Sequence, residues 1–215
     1  AFLPSREITA ARETLANETA AAQEKLAGAA GFPLVGESVL PVIYSPNSPE
    51  GRQELGFPSN AEALFKDARV VPLRLRQGDD ASCLNLYQPR NPRVIGLPDD
   101  VFFQLPLSKE KLAPNRGEYG AFVDANSLQY VLHKKVGEAV VLDADSGRPI
   151  TLRIIGTLHD SIFQSELVIR EADFRKAFPE QQGFRAFLVD APAAKRQEIT
   201  ALLEDRLKDY GLDLT

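Results

Sequence analysis

Gly78, Asp79, Asp80, Ser82 and Cys83 bring two carboxylates, a hydroxyl and a thiol into one short stretch of this 215-residue chain, the densest gathering of reactive side chains in it. Adjacent acids beside a thiol suit nucleophilic catalysis or metal binding. A catalytic cysteine, however, needs a base within hydrogen-bond reach, and no motif ties His133 or His159 to Cys83. A Gly-Asp-Asp turn followed by a structural cysteine explains the same residues, with Asp79 and Asp80 accepting backbone N–H groups or pairing with Arg74 and Arg76. His159, Asp160 and Ser161 are the residue types of a hydrolase triad, but chain neighbours cannot adopt the geometry in which acid orients base and base orients nucleophile. Asp143 and Asp145 open like a calcium loop, yet its twelfth position is Ile154 where a bidentate Glu is required. One Cys and two unlinked His fall short of any zinc pattern. Gly28 to Gly31 precedes a strand pattern instead of opening a helix, so no phosphate-binding loop is expected. Polar residues between Leu158 and Leu167, including Ser161, Gln164 and Ser165, read as a strand-to-strand connection. The expectation is a chain with no catalytic residues, no metal and no cofactor.

These side chains must be positioned by a core, and the composition supplies one. Hydrophobic residues are 44% and charged residues 26%, ordinary globular usage. A net charge of 25 − 30 = −5 with no Lys/Arg stripe argues against a nucleic-acid surface. Apolar runs are far below the roughly 18 to 20 residues of a bilayer-spanning helix. A single Cys excludes internal disulfides, and the lack of any Met, position 1 included, predicts a chain excised from something longer, matured, or numbered after tag removal.

Along the chain, Ile8, Ala11, Leu15, Ala22 and Leu26 predict a weakly amphipathic helix closed by Gly28 and Gly31, either packed on the core or a solvated stub. Residues 31–44 read as a strand that Pro33 and Pro41 confine to an edge or to broken pairing. Residues 45–58 read as loop, 61–66 as one or two helical turns, and 70–76 as a strand with Arg74 and Arg76 on a wet face. Residues 88–120 show no sustained period apart from 101–105. A strand at 121–124 precedes a helix capped by Asn126 or Ser127 and ended by Gly137. Strands at 138–142 and 150–158 form a hairpin; another at 167–170 leads into a helix at 172–178 that Pro179 ends. The last segment is a strand at 184–189, a helix with the stripe Ile199, Leu202, Leu203, Leu207 and Tyr210, a Gly211 cap, and a final strand at 212–214: a β-α-β unit. Mixed rather than alternating elements predict the α+β class.

The string VPLRLRQGDDASCLNLY at 71–87 with PRVIG at 92–96 resembles the extracytoplasmic region of bacterial ABC-transporter permeases related to FtsX and MacB. The second half is similar to the same group: DANS at 124–127, LHKKVG at 132–137, and a hairpin ending LRIIGTL at 152–158. GFPLVGES at 31–38 resembles the corresponding early strand. The resemblance implies a periplasmic domain inserted between two transmembrane helices, both ends returning to the membrane. Residues 1–30 would be a helical membrane-proximal segment and 31–215 the periplasmic core. It further implies two lobes, with 31–76 and 184–215 in a βαβ-containing lobe and roughly 77–183 in an inserted β-rich lobe. The implied function is non-catalytic: transmitting ATPase-driven motion or docking substrate or partner proteins during export, on the periplasmic or extracellular face of the bacterial inner membrane. Implied partners are the permease's transmembrane helices, a cytoplasmic ABC ATPase, and a second permease copy or a periplasmic protein, with no nucleic acid. Two alternatives stand beside it: a hydrolase-like enzyme using Asp79, Asp80 and Cys83, and a lipid- or peptide-binding module using a cleft between lobes.

Overall fold

Alternation of inward and outward side chains along β-branched strands decides this architecture. A computed structural model describes residues 32–78, 91–108, 112–143, 147–159 and 161–215. Its strands are β1 (Leu34–Val42), β2 (Arg69–Arg76), β3 (Arg93–Leu97), β4 (Tyr119–Asp124), β5 (Ala139–Leu142), β6 (Ile150–Leu158), β7 (Glu166–Arg170), β8 (Phe184–Asp190) and β9 (Leu212–Leu214). The helices are α1 (Pro49–Glu54), α2 (Glu62–Phe65), α3 (Asp99–Phe102), α4 (Ala125–Tyr130), α5 (Glu171–Ala177) and α6 (Arg196–Leu207). The strands form a nine-stranded sheet in the order β5-β6-β4-β7-β3-β2-β8-β1-β9, so the chain is α+β as its mixed pattern predicts.

β8 and β9 both run antiparallel to β1, which lies between them, and α6 makes the crossover: a split β-α-β unit. β3 and β7 are parallel, as are β4 and β6. β2 is shared. Arg69 to Leu73 pair with β8, while Arg74 to Arg76 pair with β3, so one strand carries the hydrogen bonding from 184–214 into 93–170.

Odd and even positions serve different cores. Val71, Leu73, Leu75, Ile95, Phe122, Val168 and Leu188 face one continuous cluster that α3, Phe32 and Phe163 cover. Their neighbours face the other side, where the core divides. Val94, Val123, Leu167 and Ile169 pack under α5 through Phe174 and under α4 through Leu128. Val70, Phe187 and Val189 pack under α6 through Ile199, Leu203 and Leu207, spaced i, i+4, i+8 as an inward helical stripe requires. Gly211, at φ 69°, turns the chain out of that helix into β9.

Several expectations change. Of the two alternatives for β1, broken pairing is the one seen and the edge is not: Leu34 to Glu37 pair with β8, then the register shifts before Val42 pairs with Phe184, which leaves Pro41 where no ladder N–H is needed. The cap of α4 is Asp124, whose Oδ1 accepts from Asn126 N (3.0 Å) and Ser127 N (3.1 Å), two or three residues earlier than expected. The 45–58 loop holds α1, started by Ser48, which accepts from Gly51 N at 3.0 Å, and by Pro49 in the first turn. The 88–120 connection holds β3 and α3. Arg74 and Arg76 are not on a wet face: Arg74 lies 5.1 Å over the Phe184 ring and bonds Glu171, and Arg76 is buried 5.3 Å over Phe178. The helix expected within 1–30 lies outside the described residues.

Candidate functional site

The reactive cluster of Asp79, Asp80, Ser82 and Cys83 lies outside the described residues, as do Asp145 and Asp160. His133 follows α4 at φ 50° and His159 follows β6; both are exposed. Ser161 is buried, and its hydroxyl accepts from Phe163 N at 3.1 Å, so it holds a turn. The backbone of Asp143 is engaged too, its carbonyl accepting from Arg76 Nη2 at 2.7 Å and its N–H donating to Asn91 at 3.1 Å. Among the described residues no group of three or more His, Cys, Asp or Glu is placed to hold a metal ion.

Two other places gather functional geometry. The first is the meeting of the described chain ends. Val35 N donates to Thr215 O at 2.9 Å, and Thr215 N donates to Val35 O at 2.8 Å. This reciprocal pair continues the β1–β9 ladder of Gly36 with Leu214, Glu37 with Asp213 and Ser38 with Leu212. Val35 and Thr215 therefore share one side of the molecule.

The second is a charge clasp on the continuous-core face. Arg93 opens β3 opposite Glu166 in the parallel β3–β7 register, and its Nη2 lies 3.1 Å from Glu166 Oε1. The same nitrogen pairs with Glu37 of β1. Strand alternation puts Glu37 beside Val35 and Glu166 beside Val168, hence on the same face as Ile95. One guanidinium thus joins a strand at the chain ends to a strand pair in the far half of the sheet. Glu166 is only 11% exposed at its side chain; desolvation pushes its carboxyl up to about 7, against the pull of Arg93 and with help from Glu37. Arg93 Nε is buried without a hydrogen-bond partner, so the guanidinium is not fully satisfied here.

A contrasting pair lies at the other end of the sheet. Arg153 of β6 bonds Glu118 through Nε at 2.7 Å and again through Nη2, and donates to Gly137 O at 2.5 Å. This two-point contact holds the Glu118 carboxyl down at about 2. It fixes a turn to a strand, a structural task.

Sequence reading missed the clasp because Glu37, Arg93 and Glu166 are 56 and 73 positions apart. One signal was present: a charged residue opening an otherwise apolar strand, as in Arg93 before Val-Ile-Gly-Leu and Glu166 before Leu-Val-Ile, is costly unless paired.

No protein-family model matches this sequence, and no curated protein is similar to it in sequence. Among solved structures, the periplasmic region of MacB from Actinobacillus actinomycetemcomitans is similar at 14% identity and a TM-score of 0.44, covering 88% of this chain and 91% of that one. The extracellular domain of the noncanonic ABC-type transporter YknZ from Gram-positive bacteria is similar at 12% identity and a TM-score of 0.39, covering 85% of this chain and 99% of that one.

Proposed function

We propose that this chain is a non-catalytic extracytoplasmic domain of an ABC-transporter permease, held to the membrane at both ends on the periplasmic or extracellular face of a bacterial inner membrane. The observation that carries the reading is the reciprocal Val35–Thr215 hydrogen bonding, because a domain inserted between two membrane helices must enter and leave at one pole. The motif resemblance of residues 31–158 to FtsX- and MacB-related permeases supports it from the sequence. No helix among the described residues is long and apolar enough to cross a membrane.

In this reading the domain transmits displacement. Motion of the membrane helices, driven by a cytoplasmic ABC ATPase, enters through β1 and β9, passes to β8 and then β2, and reaches β3 and β7 through the shared strand and the Arg93 clasp. The division into a lobe of 31–76 with 184–215 and an inserted lobe of roughly 77–183 belongs to this proposal. So does service as a docking surface for substrate, a second permease copy or a periplasmic protein.

The test is topological. In the full gene, an apolar segment of about 20 residues is expected on each side of this stretch. A cysteine placed at exposed Ser59, in a Cys83→Ser background, should react with a membrane-impermeant maleimide in intact spheroplasts. Flanks without such segments, or labelling only after permeabilisation, would overturn the proposal.

A further inference from the structure

A loop of six residues closes the gap between α5 and β8, and its conformation makes a cleft. Gly183, at φ 76°, lets the loop run against the end of β1: a Cβ there would lie 2.9 Å from Val42 O and 3.1 Å from Ile43 and Pro41. The space left beside it is a cleft of about 440 Å³, bounded by Ile43, Arg74, Arg175, Phe178, Pro179 and Gln182, a size suited to a small ligand or a few residues of peptide.

Its charge is uneven. Arg74, only 16% exposed at its side chain, is fixed by Glu171 at 3.0 Å and by Phe184 beneath it. Arg76 lies buried behind Phe178, with Nη1 lacking a partner. Arg175 is exposed and makes no ion pair among the described residues. Arg185, two residues after Gly183, donates to Val39 O at 2.6 Å. Against these cations the surrounding carboxylates are Glu171, already used by Arg74, exposed Glu180, and Asp173, 3.8 Å from Lys176. A chain of net charge −5 thus shows a locally cationic cleft.

Exposed apolar side chains stand at the end of β1, and one of them, Ile43, lines the cleft. Val39 is 71% exposed, and Leu40, Ile43 and Tyr44 are each about half exposed, following the point where β9 has ended and β1 has lost its register with β8. Exposed apolar side chains gathered beside a cleft mark an interaction surface.

We infer that the Arg74–Arg175 cleft and the apolar end of β1 at Ile43 form a binding site for an extended polypeptide segment that carries a carboxylate next to apolar side chains. The exposed guanidinium fork of Arg175 matches a planar carboxylate, Arg74 is held against the cleft by Glu171, and Ile43 receives a neighbouring apolar side chain. Eight strand positions of about 3.3 Å separate Ile43 from Val35, so the site lies roughly 25 Å from the chain ends. It does not rest on the membrane tether, and the two can fail separately.

A fluorescein-labelled peptide of alternating Leu and Glu, read by fluorescence anisotropy against the whole chain, tests it. Binding is expected, weakened about tenfold or more by Arg175→Glu and also by Ile43→Ser, with thermal melts unchanged because both side chains are exposed. The same peptide with Gln for Glu should bind about tenfold more weakly, and excess inorganic phosphate should not displace the probe. Absence of binding, equal binding by Arg175→Glu, equal binding of the Gln peptide, or displacement by phosphate would each overturn the inference.

Discussion

Glu166 makes the domain's stability depend on pH in an unusual direction. The carboxyl rises from 4.5 to about 7 on folding because burial disfavours its charge more than Arg93 favours it. The folded state therefore binds a proton more tightly than the unfolded chain, and the resulting stability is fully present below about pH 4.5 and lost as pH rises through about 7. At about 1.36 kcal/mol per unit, the whole effect is about 3 kcal/mol, of which about 2 falls between pH 5 and pH 7.5. The carboxylates held low by cations (Glu62, Asp67, Asp99 and Glu118) act oppositely: their contribution is present above the ordinary carboxylate range and is lost in more acid solution. Among the described residues, Glu166 is the carboxyl raised into the window from pH 5 to 7.5. Urea titrations at the two limits should show the wild-type chain more stable at pH 5 by about 2 kcal/mol, whereas Glu166→Gln, which keeps the shape and removes the charge, should show little difference and should not be weaker than wild type at pH 7.5. A wild-type chain equally stable at both pH values, or more stable at 7.5, would refute the argument that burial outweighs Arg93 at this position.

Two substitutions probe the packing on either side of the shared strand. Leu203→Ala, at the centre of the α6 stripe and 1% exposed, should cost about 2 to 5 kcal/mol in urea unfolding; a loss under about 0.5 would mean that α6 is not docked. Gly96→Ala would bring a methyl to 2.8 Å from Phe174 Cβ, which is fully buried and cannot retreat, so a loss of about 1 to 3 kcal/mol is expected, with an unchanged melting temperature as the contrary result.

The C-terminal third was legible because its signals are local. The 199/203/207 stripe, Gly211 and the apolar run at 184–189 each report an element without reference to the rest of the chain, and α6 and β8 lie where those signals put them. The β5–β6 hairpin was legible for the same reason. β3 was not, since five residues between Pro92 and Pro98 give no period to count, and its strand state comes from β2 and β7 on either side. α1 was hidden by Pro49 and Gly51, breakers in a helix interior but compatible with its first turn. Arg74 and Arg76 misled because alternation says only that two residues share a face, and Phe178, Phe184 and Glu171 from later in the chain cover that face. The clasp and the cleft are assembled wholly from distant segments, and no short-range pattern encodes either.

The antiparallel closure of β1 on β9 also sets how the molecule answers force. Pulled apart at Val35 and Thr215, the ladder would open from its end, each bond bearing the load alone before passing it to the next, as a zipper does. Such a seam resists separation weakly, but shifts as one unit when both ends travel together. The fold is therefore soft toward separation of Val35 from Thr215 and stiff toward their common displacement, a mechanical filter that follows from strand direction alone.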